Sequence, residues 1–389
     1  SSLGHEPDQI WERYLSDTCY LNICCFNNED TPSGKLHPKT LELVDQIRKE
    51  NSNYRRLDKT VLMAILASRI CIENSNWKNM KDVGINIGSS RGATQLFEKY
   101  HSHFLNSPNQ KISPLTSPTT TLGNIASWVS NDLGSDSINL SHSITCSTAL
   151  HSILNACAWI NSGMTNQFLA GASESPLTDF TVSQMKSLGI YTKKTADWCS
   201  TPLQKNAKNN SMCLGEGASV FGLEKDKGQN RLAKIIGIGY ATEKVNHPTS
   251  ISDNGESMQK SMRMAVKDLD INSIDTIVVH APGTIKGDQS ELMAIKDVFK
   301  TNIPHLISTK FQTGHTLGAS GGLSLDLAIE MIHKNEVISF PYYSNSGIKP
   351  SQVNTVLIKP SELAPATSAI MHRIISECFE SNYIAVVEG

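Results

Sequence analysis

Three residues in this chain are of a type and setting that could do chemistry together. Cys146 lies in Ser143-Ile144-Thr145-Cys146-Ser147-Thr148-Ala149-Leu150, where an apolar helix is predicted to open and run to about Asn161. At a helix start, unpaired backbone N–H groups and the positive end of the helix dipole favour a thiolate. His280 follows the apolar run Ile277-Val278-Val279 and begins the loop His280–Asp288. That places it at the carboxyl end of a strand, where α/β proteins hold ligands. His315 sits in Lys310-Phe311-Gln312-Thr313-Gly314-His315-Thr316-Leu317-Gly318-Ala319-Ser320-Gly321, whose glycines let backbone come close to a ligand. Taken singly, a cysteine of this kind is usually a structural thiol and each histidine an ordinary loop residue. Cys157 and Cys71, inside apolar helical patterns, keep the structural reading.

The elements that must position these residues alternate between strand and helix. Thr40–Glu50 and Leu57–Glu73 read as helices, the second with Val61, Ile65, Leu66 and Ile70 at helical spacing. Val83–Ile87, Ser137–Ser143, Gln167–Gly171, Ser219–Glu224, Leu232–Ala241, Thr276–His280, His305–Ser308 and Val337–Tyr342 read as strands. Asn27-Asn28-Glu29-Asp30 and Pro32-Ser33-Gly34 read as loop. Gly88-Ser89-Ser90-Arg91-Gly92 lacks the Lys-Ser/Thr of a phosphate loop and reads as a plain strand-to-helix turn. A second apolar helix is predicted from Ser320 to His333, after His315, which stands 169 residues beyond Cys146. The repeated order of elements suggests an internally duplicated α/β unit with mainly parallel sheets covered by helices.

Composition narrows the function classes. The chain has 389 residues, with Lys+Arg 35 against Asp+Glu 37. This balance argues against nucleic-acid binding by bulk positive charge. No apolar run approaches the ~20 residues of a membrane span. Nine scattered cysteines without a C-x-x-C pair fit neither a disulfide framework nor a structural zinc site. The opening Ser1-Ser2-Leu3-Gly4-His5 has no basic-then-apolar pattern, so a reducing cytoplasm is the expected compartment.

Taken in order, these segments resemble the β-ketoacyl–acyl carrier protein synthases, condensing enzymes of the thiolase-like superfamily. Ser143–Gly163 is similar to the family's cysteine helix and Ala170-Gly171-Ala172-Ser173-Glu174 to the strand after it. Leu214-Gly215-Glu216-Gly217-Ala218, His280–Asp288 with Glu291, and Lys310–Gly321 follow the later blocks, and similarity runs from about Ser2 to Val387. The resemblance implies a thiolase-like fold of layered helix–sheet–helix–sheet–helix. Its halves would be residues 1–224, carrying Cys146, and 225–389, carrying both histidine loops.

The resemblance also implies roles. Cys146 would take an acyl group from the phosphopantetheine thioester of an acyl carrier protein. His280 and His315 would bind the carbonyl of a malonyl-carrier donor, and Lys310 would add positive charge to that pocket. Thr284, Ser376 and Phe379 would contact substrate. Covalent catalysis with donors aimed at an oxyanion needs neither a metal nor a separate cofactor. A homodimer, or a heterodimer with a related ketosynthase-like subunit, is expected, paired through Gln167–Gly171.

The chain departs from the family pattern in three places. Pro282 stands where many members have threonine, Ser324 where many have a glutamate that pairs with the lysine, and Ser376–Asn382 where a glycine-rich loop is usual. A degradative thiolase would carry a second catalytic cysteine in a glycine-rich C-terminal segment, which Cys378-Phe379-Glu380 does not resemble. A Cys-His-Asn hydrolase leaves the glycine-framed blocks unexplained. A chain-length-shaping partner of a sister synthase is the alternative from another class, and such subunits usually lose the nucleophile.

Overall fold

The computed structural model describes residues 1–75, 77–107, 111–195, 198–225, 231–243, 251–342 and 350–359. It opens with an antiparallel hairpin, β1 (Asn22–Phe26) and β2 (Glu29–Ser33), joined by Asn27 and Asn28 at φ 48° and 62°. The sequence reading treats this stretch as loop. Two consecutive left-handed residues make a two-residue hairpin turn, and asparagine tolerates that conformation better than most side chains.

The first large sheet contains β3 (Gly84–Gly88), β4 (Asn139–Leu140), β5 (Gln167–Glu174) and β6 (Gly217–Glu224), in the order β4-β3-β5-β6. β5 runs parallel to β3, with Ile85 opposite Leu169, and antiparallel to β6, with Ala170 opposite Phe221. The second sheet is parallel, with β7 (Thr276–Val278) between β8 (His305–Ile307) and β9 (Val356–Ile358). Every residue of β3 is buried, as expected for a strand covered on both faces.

Helices fill the spaces around both sheets. Lys59–Glu73 packs on β5 and β6, and Asn124–Leu133 on β3, sharing one apolar core with Ile85, Ile87 and Leu169. On the opposite face, Thr148–Asn161 lies on β3 and β5 and touches Ser320–Lys334, which also packs on β7 and β9. Glu256–Ala265 and Ile285–Phe299 complete a second core around Ile277 and Val278. The result is the layered helix–sheet–helix–sheet–helix arrangement of the thiolase-like fold.

Several sequence expectations are corrected. Gln167–Gly171 cannot be the subunit-pairing strand, because β3 and β6 already occupy both of its edges. Leu232–Ala241 and Val337–Tyr342 are not strands among the described residues. Neither segment pairs with a β ladder there, and hydrophobicity alone does not make a strand without a neighbour. Val337, Ile338 and Phe340 are buried for another reason, as part of the second core. The strand expected over Ser137–Ser143 shrinks to Asn139–Leu140. Ser376, Phe379 and the Ser376–Asn382 segment lie outside the described residues. No helix among the described residues is long and apolar enough to cross a membrane.

Candidate active site

Cys146 stands two residues ahead of its helix, which begins at Thr148 after Ser147. The expected helix start is displaced by a sharp turn in which Thr145 has φ 44°, a left-handed value rare for a β-branched residue. Thr148 braces that turn: its hydroxyl accepts from Ile144 N–H at 3.0 Å and donates to Thr145 C=O at 2.7 Å. Holding a non-glycine residue in this region costs on the order of 1–3 kcal/mol. The outcome is a half-buried thiol just ahead of the helix. Thr148→Val, which keeps the shape but loses both hydrogen bonds, should cost about 1–3 kcal/mol of stability in urea unfolding. It should also slow alkylation of Cys146, and unchanged stability and reactivity would remove the brace from the account.

His315 reaches the thiol from the other half of the fold. Its N–H donates to Cys213 C=O at 2.6 Å and its C=O accepts from Gly215 N–H at 3.0 Å, so the loop is laid against the Leu214-Gly215 strand-like segment. Gly314 makes the approach possible: at φ +67°, a Cβ there would come within 2.8 Å of Leu214 C=O. Gly34 and Gly215 converge on the same place, where added Cβ atoms would fall 1.9 and 2.0 Å from Thr313 C=O. The ring then sits with Nε2 3.3 Å from Cys146 Sγ and Nδ1 2.9 Å from Ser320 Oγ. Ser320 opens the following helix, one of the positions that sequence reasoning quotes without giving it a role.

His280 completes the group. Its ring meets that of His315 nearly edge-on, with centroids 5.2 Å apart and planes at 78°. The ligand-capable atoms of Cys146, His280 and His315 all lie within 4.8 Å of one another, the one cluster among the described residues with metal-ligand spacing. Glu291 fixes the His280 loop from below, accepting from His280 N–H at 2.8 Å and Ala281 N–H at 2.7 Å. Asp288 accepts from Gly283 N–H at 3.1 Å and Leu203 N–H at 2.8 Å, tying the same loop to the chain before it.

Burial controls the charge states. Both imidazoles are 6% exposed, and desolvation followed by the nearby Lys310 charge holds their pKa values well below the usual histidine range. They are therefore neutral at physiological pH. Lys310 is 1% exposed, and among the described residues its Nζ has no hydrogen-bond partner. Burial lowers it to about 8, against the pull of Glu291, Cys146 and Asp288, while Lys359 pushes it further down. Lys359 Nζ lies 3.8 Å from Glu291 Oε1. No motif marks this second buried lysine. Glu174, pushed up to about 7 chiefly by burial, joins the two halves by accepting from Ser90 N–H and from Gly318 N–H. Thr284 is half-buried at the start of the Ile285–Phe299 helix, with its hydroxyl over Gly287.

A thiol, two neutral imidazoles and a buried lysine, joined from both halves of a thiolase-like fold, fit a condensing acyltransferase. Comparison with known families decides between its relatives. Residues 30–228 match the beta-ketoacyl synthase N-terminal domain and residues 232–341 the beta-ketoacyl synthase C-terminal domain. The chain belongs to the beta-ketoacyl synthase family. It is a condensing acyltransferase. Among curated relatives, 3-oxoacyl-[acyl-carrier-protein] synthase 2 of Staphylococcus aureus is 28% identical over 341 residues, covering 83% of each chain. The enzyme of that name from Vibrio cholerae is 28% identical over 348 residues, covering 85% of this chain and 83% of its own. Solved structures agree on the fold. The ishigamide ketosynthase/chain length factor aligns with TM-score 0.77 at 18% identity, over 93% of this synthase and 90% of that chain. A Burkholderia phymatum beta-ketoacyl synthase aligns with TM-score 0.76 at 19% identity, over 94% and 91%.

Proposed function

We propose that this synthase joins an acyl group held on Cys146 to a malonyl unit carried by an acyl carrier protein, giving a 3-oxoacyl-carrier product. The observation that carries the residue roles is the 3.3 Å approach of His315 Nε2 to Cys146 Sγ inside a buried, two-histidine site. Cys146 sulfur attacks the acyl-carrier thioester, the C–S bond to the carrier breaks, and the carrier leaves as its thiol. A malonyl-carrier then enters. Its C–CO₂⁻ bond breaks, carbon dioxide leaves, and the electron pair moves into the thioester carbonyl to form an enolate.

His280 and His315 hold that enolate oxygen. Each can donate one N–H while neutral, and a Ser320 hydroxyl donating to Nδ1 of His315 would leave Nε2 carrying its proton. Donors fixed before the charge develops, in a dry site, require little reorganisation when it does. The enolate carbon attacks the acyl-cysteine carbonyl, and the thiolate leaves. Lys310 supplies positive charge to the pocket; Glu291 shapes it by holding the His280 loop. Thr284 is assigned to the donor arm, and Ser376 and Phe379 to the acyl chain. The two halves are taken as residues 1–224 and 225–389, working as a dimer in the cytoplasm without a separate cofactor.

The deciding experiment is intact-mass analysis after incubation with a panel of acyl-carrier thioesters, followed by malonyl-carrier. An acyl adduct on Cys146 and a product two carbons longer are expected. No adduct with any carrier-bound acyl group would sink the reading. An adduct that extends only after a sister ketosynthase is added would favour the chain-length-shaping alternative. The solved ketosynthase/chain length factor pairs are the observation that keeps this second reading in view.

A pH dependence follows from Lys310. With its pKa near 8, it is a cation below that pH and loses the charge as pH rises through it. Malonyl decarboxylation should therefore decline above about pH 8, and Lys310→Met should lose this limb while being slower at pH 7. A profile unchanged by the substitution would remove Lys310 charge from the donor step.

A further inference from the structure

A second sulfur group lies away from the thiol of Cys146. Cys19, Cys199 and Cys213 pack together with Leu21 in one small cluster, Cys199 and Cys213 buried and Cys19 partly exposed. Cys19 packs against this buried pair, and the Cys19 and Cys199 thiols shift each other's acidity in opposite directions. Their relative position is fixed from both sides. The fully buried amide of Gln312 accepts from Tyr20 N–H at 3.0 Å and donates to Thr18 C=O at 2.9 Å, gripping the residues on each side of Cys19. On the other side, Thr201 N–H donates to Ser211 Oγ at 3.1 Å and Ser211 N–H to Gly283 C=O at 2.7 Å, anchoring the Cys199 segment to the His280 loop.

We propose that Cys19 and Cys199 are a modification site at which a hydroperoxide forms a thiol-reversible disulfide. Cys19 sulfur attacks the peroxide, the O–O bond breaks, and Cys19 becomes a sulfenic acid as the peroxide is reduced to an alcohol or water. Cys199 sulfur then attacks Cys19 sulfur, the S–O bond breaks, and water leaves with the Cys199 proton. The two electrons lost by the thiols are those gained by the peroxide. Exposure and contact give the order, since the peroxide reaches Cys19 and the buried Cys199 resolves it. Cys19 is also the more acidic thiol: the Cys199 hydrogen bond, opposed by burial, lowers it to about 6. Cys157, pushed up to about 11 by burial, is the internal control. The bridge would fasten the segment held by Gln312, two residues from Lys310, to the loop that leads to Cys213, whose C=O holds the His315 N–H.

The test treats the reduced full chain with one equivalent of hydrogen peroxide, blocks remaining thiols with N-ethylmaleimide and maps the peptides. Expected is a linked Cys19–Cys199 peptide two hydrogens lighter than its parts, opened by dithiothreitol and retained in a Cys24→Ser/Cys25→Ser variant. In Cys199→Ser, dimedone should trap the sulfenic acid on Cys19 at least ~10-fold faster than on Cys157. If that variant does not fold, Cys19→Ser protein serves the same purpose: its Cys199 should stay reduced under the same peroxide, because Cys199 is oxidised only through Cys19. A Cys19 that stays reduced, or that links to Cys24, Cys25 or Cys213 instead, overturns the proposal.

Discussion

Cys146→Ala protein is expected to show no acyl adduct by intact mass and to lose condensation by about 10³-fold or more, since removing a covalent nucleophile removes the step itself. The substitution should leave folding almost untouched, because Cys146 is half-buried at a turn and only flanks a small apolar cluster. Cys157→Ala, within the Thr148–Asn161 helix, should keep full acyl loading. Normal loading of Cys146→Ala protein would place the acyl group elsewhere and overturn the mechanism.

The second large effect separates the two histidines. Removing an oxyanion donor commonly costs about 10²–10³-fold in rate. His280→Ala and His315→Ala should each suppress malonyl decarboxylation on that scale, and more strongly than acyl loading. The geometry adds an asymmetry. His315 Nε2 stands 3.3 Å from Cys146 Sγ, so His315→Ala should also slow loading, and more than His280→Ala does. Single-turnover measurement of loading and decarboxylation on each variant reads both steps. Native decarboxylation in both variants would show that neither imidazole holds the enolate. Because both rings are held neutral by burial, neither step should show a histidine limb near pH 6.5.

The sequence made the order of the blocks legible, and with it the fold, because strand-and-helix alternation and the glycine-framed histidines survive as local patterns. Cys146, His280 and His315 could be singled out by residue type and setting, and the structure brings all three together. What sequence could not show was relational. Nothing local says that Thr148 folds back on Thr145, or that Ser320 faces Nδ1 of His315. Lys359 carries no motif at all, and its meaning comes only from Glu291 and Lys310 beside it. Two strand expectations fail for one reason: Leu232–Ala241 and Val337–Tyr342 are apolar enough to be strands, but among the described residues neither has a ladder neighbour, and neighbours are set by tertiary structure. The place of β5 in its sheet, which rules out Gln167–Gly171 as a subunit edge, is likewise a fact of topology.

The crossing of Gly34, Gly215 and Thr313 behind His315 also bears on how the chain folds. Segments from near the start, the middle and the end of the chain must all arrive before His315 can be seated, and Cys146 meets it across 169 residues. Contacts of such long range form slowly, because loop-closure entropy is lost before the contact repays it. A partly folded or nascent chain therefore has its thiol but not its partners. Acyl loading of Cys146 by a carrier is therefore expected as a late marker of maturation, appearing once the last segment docks.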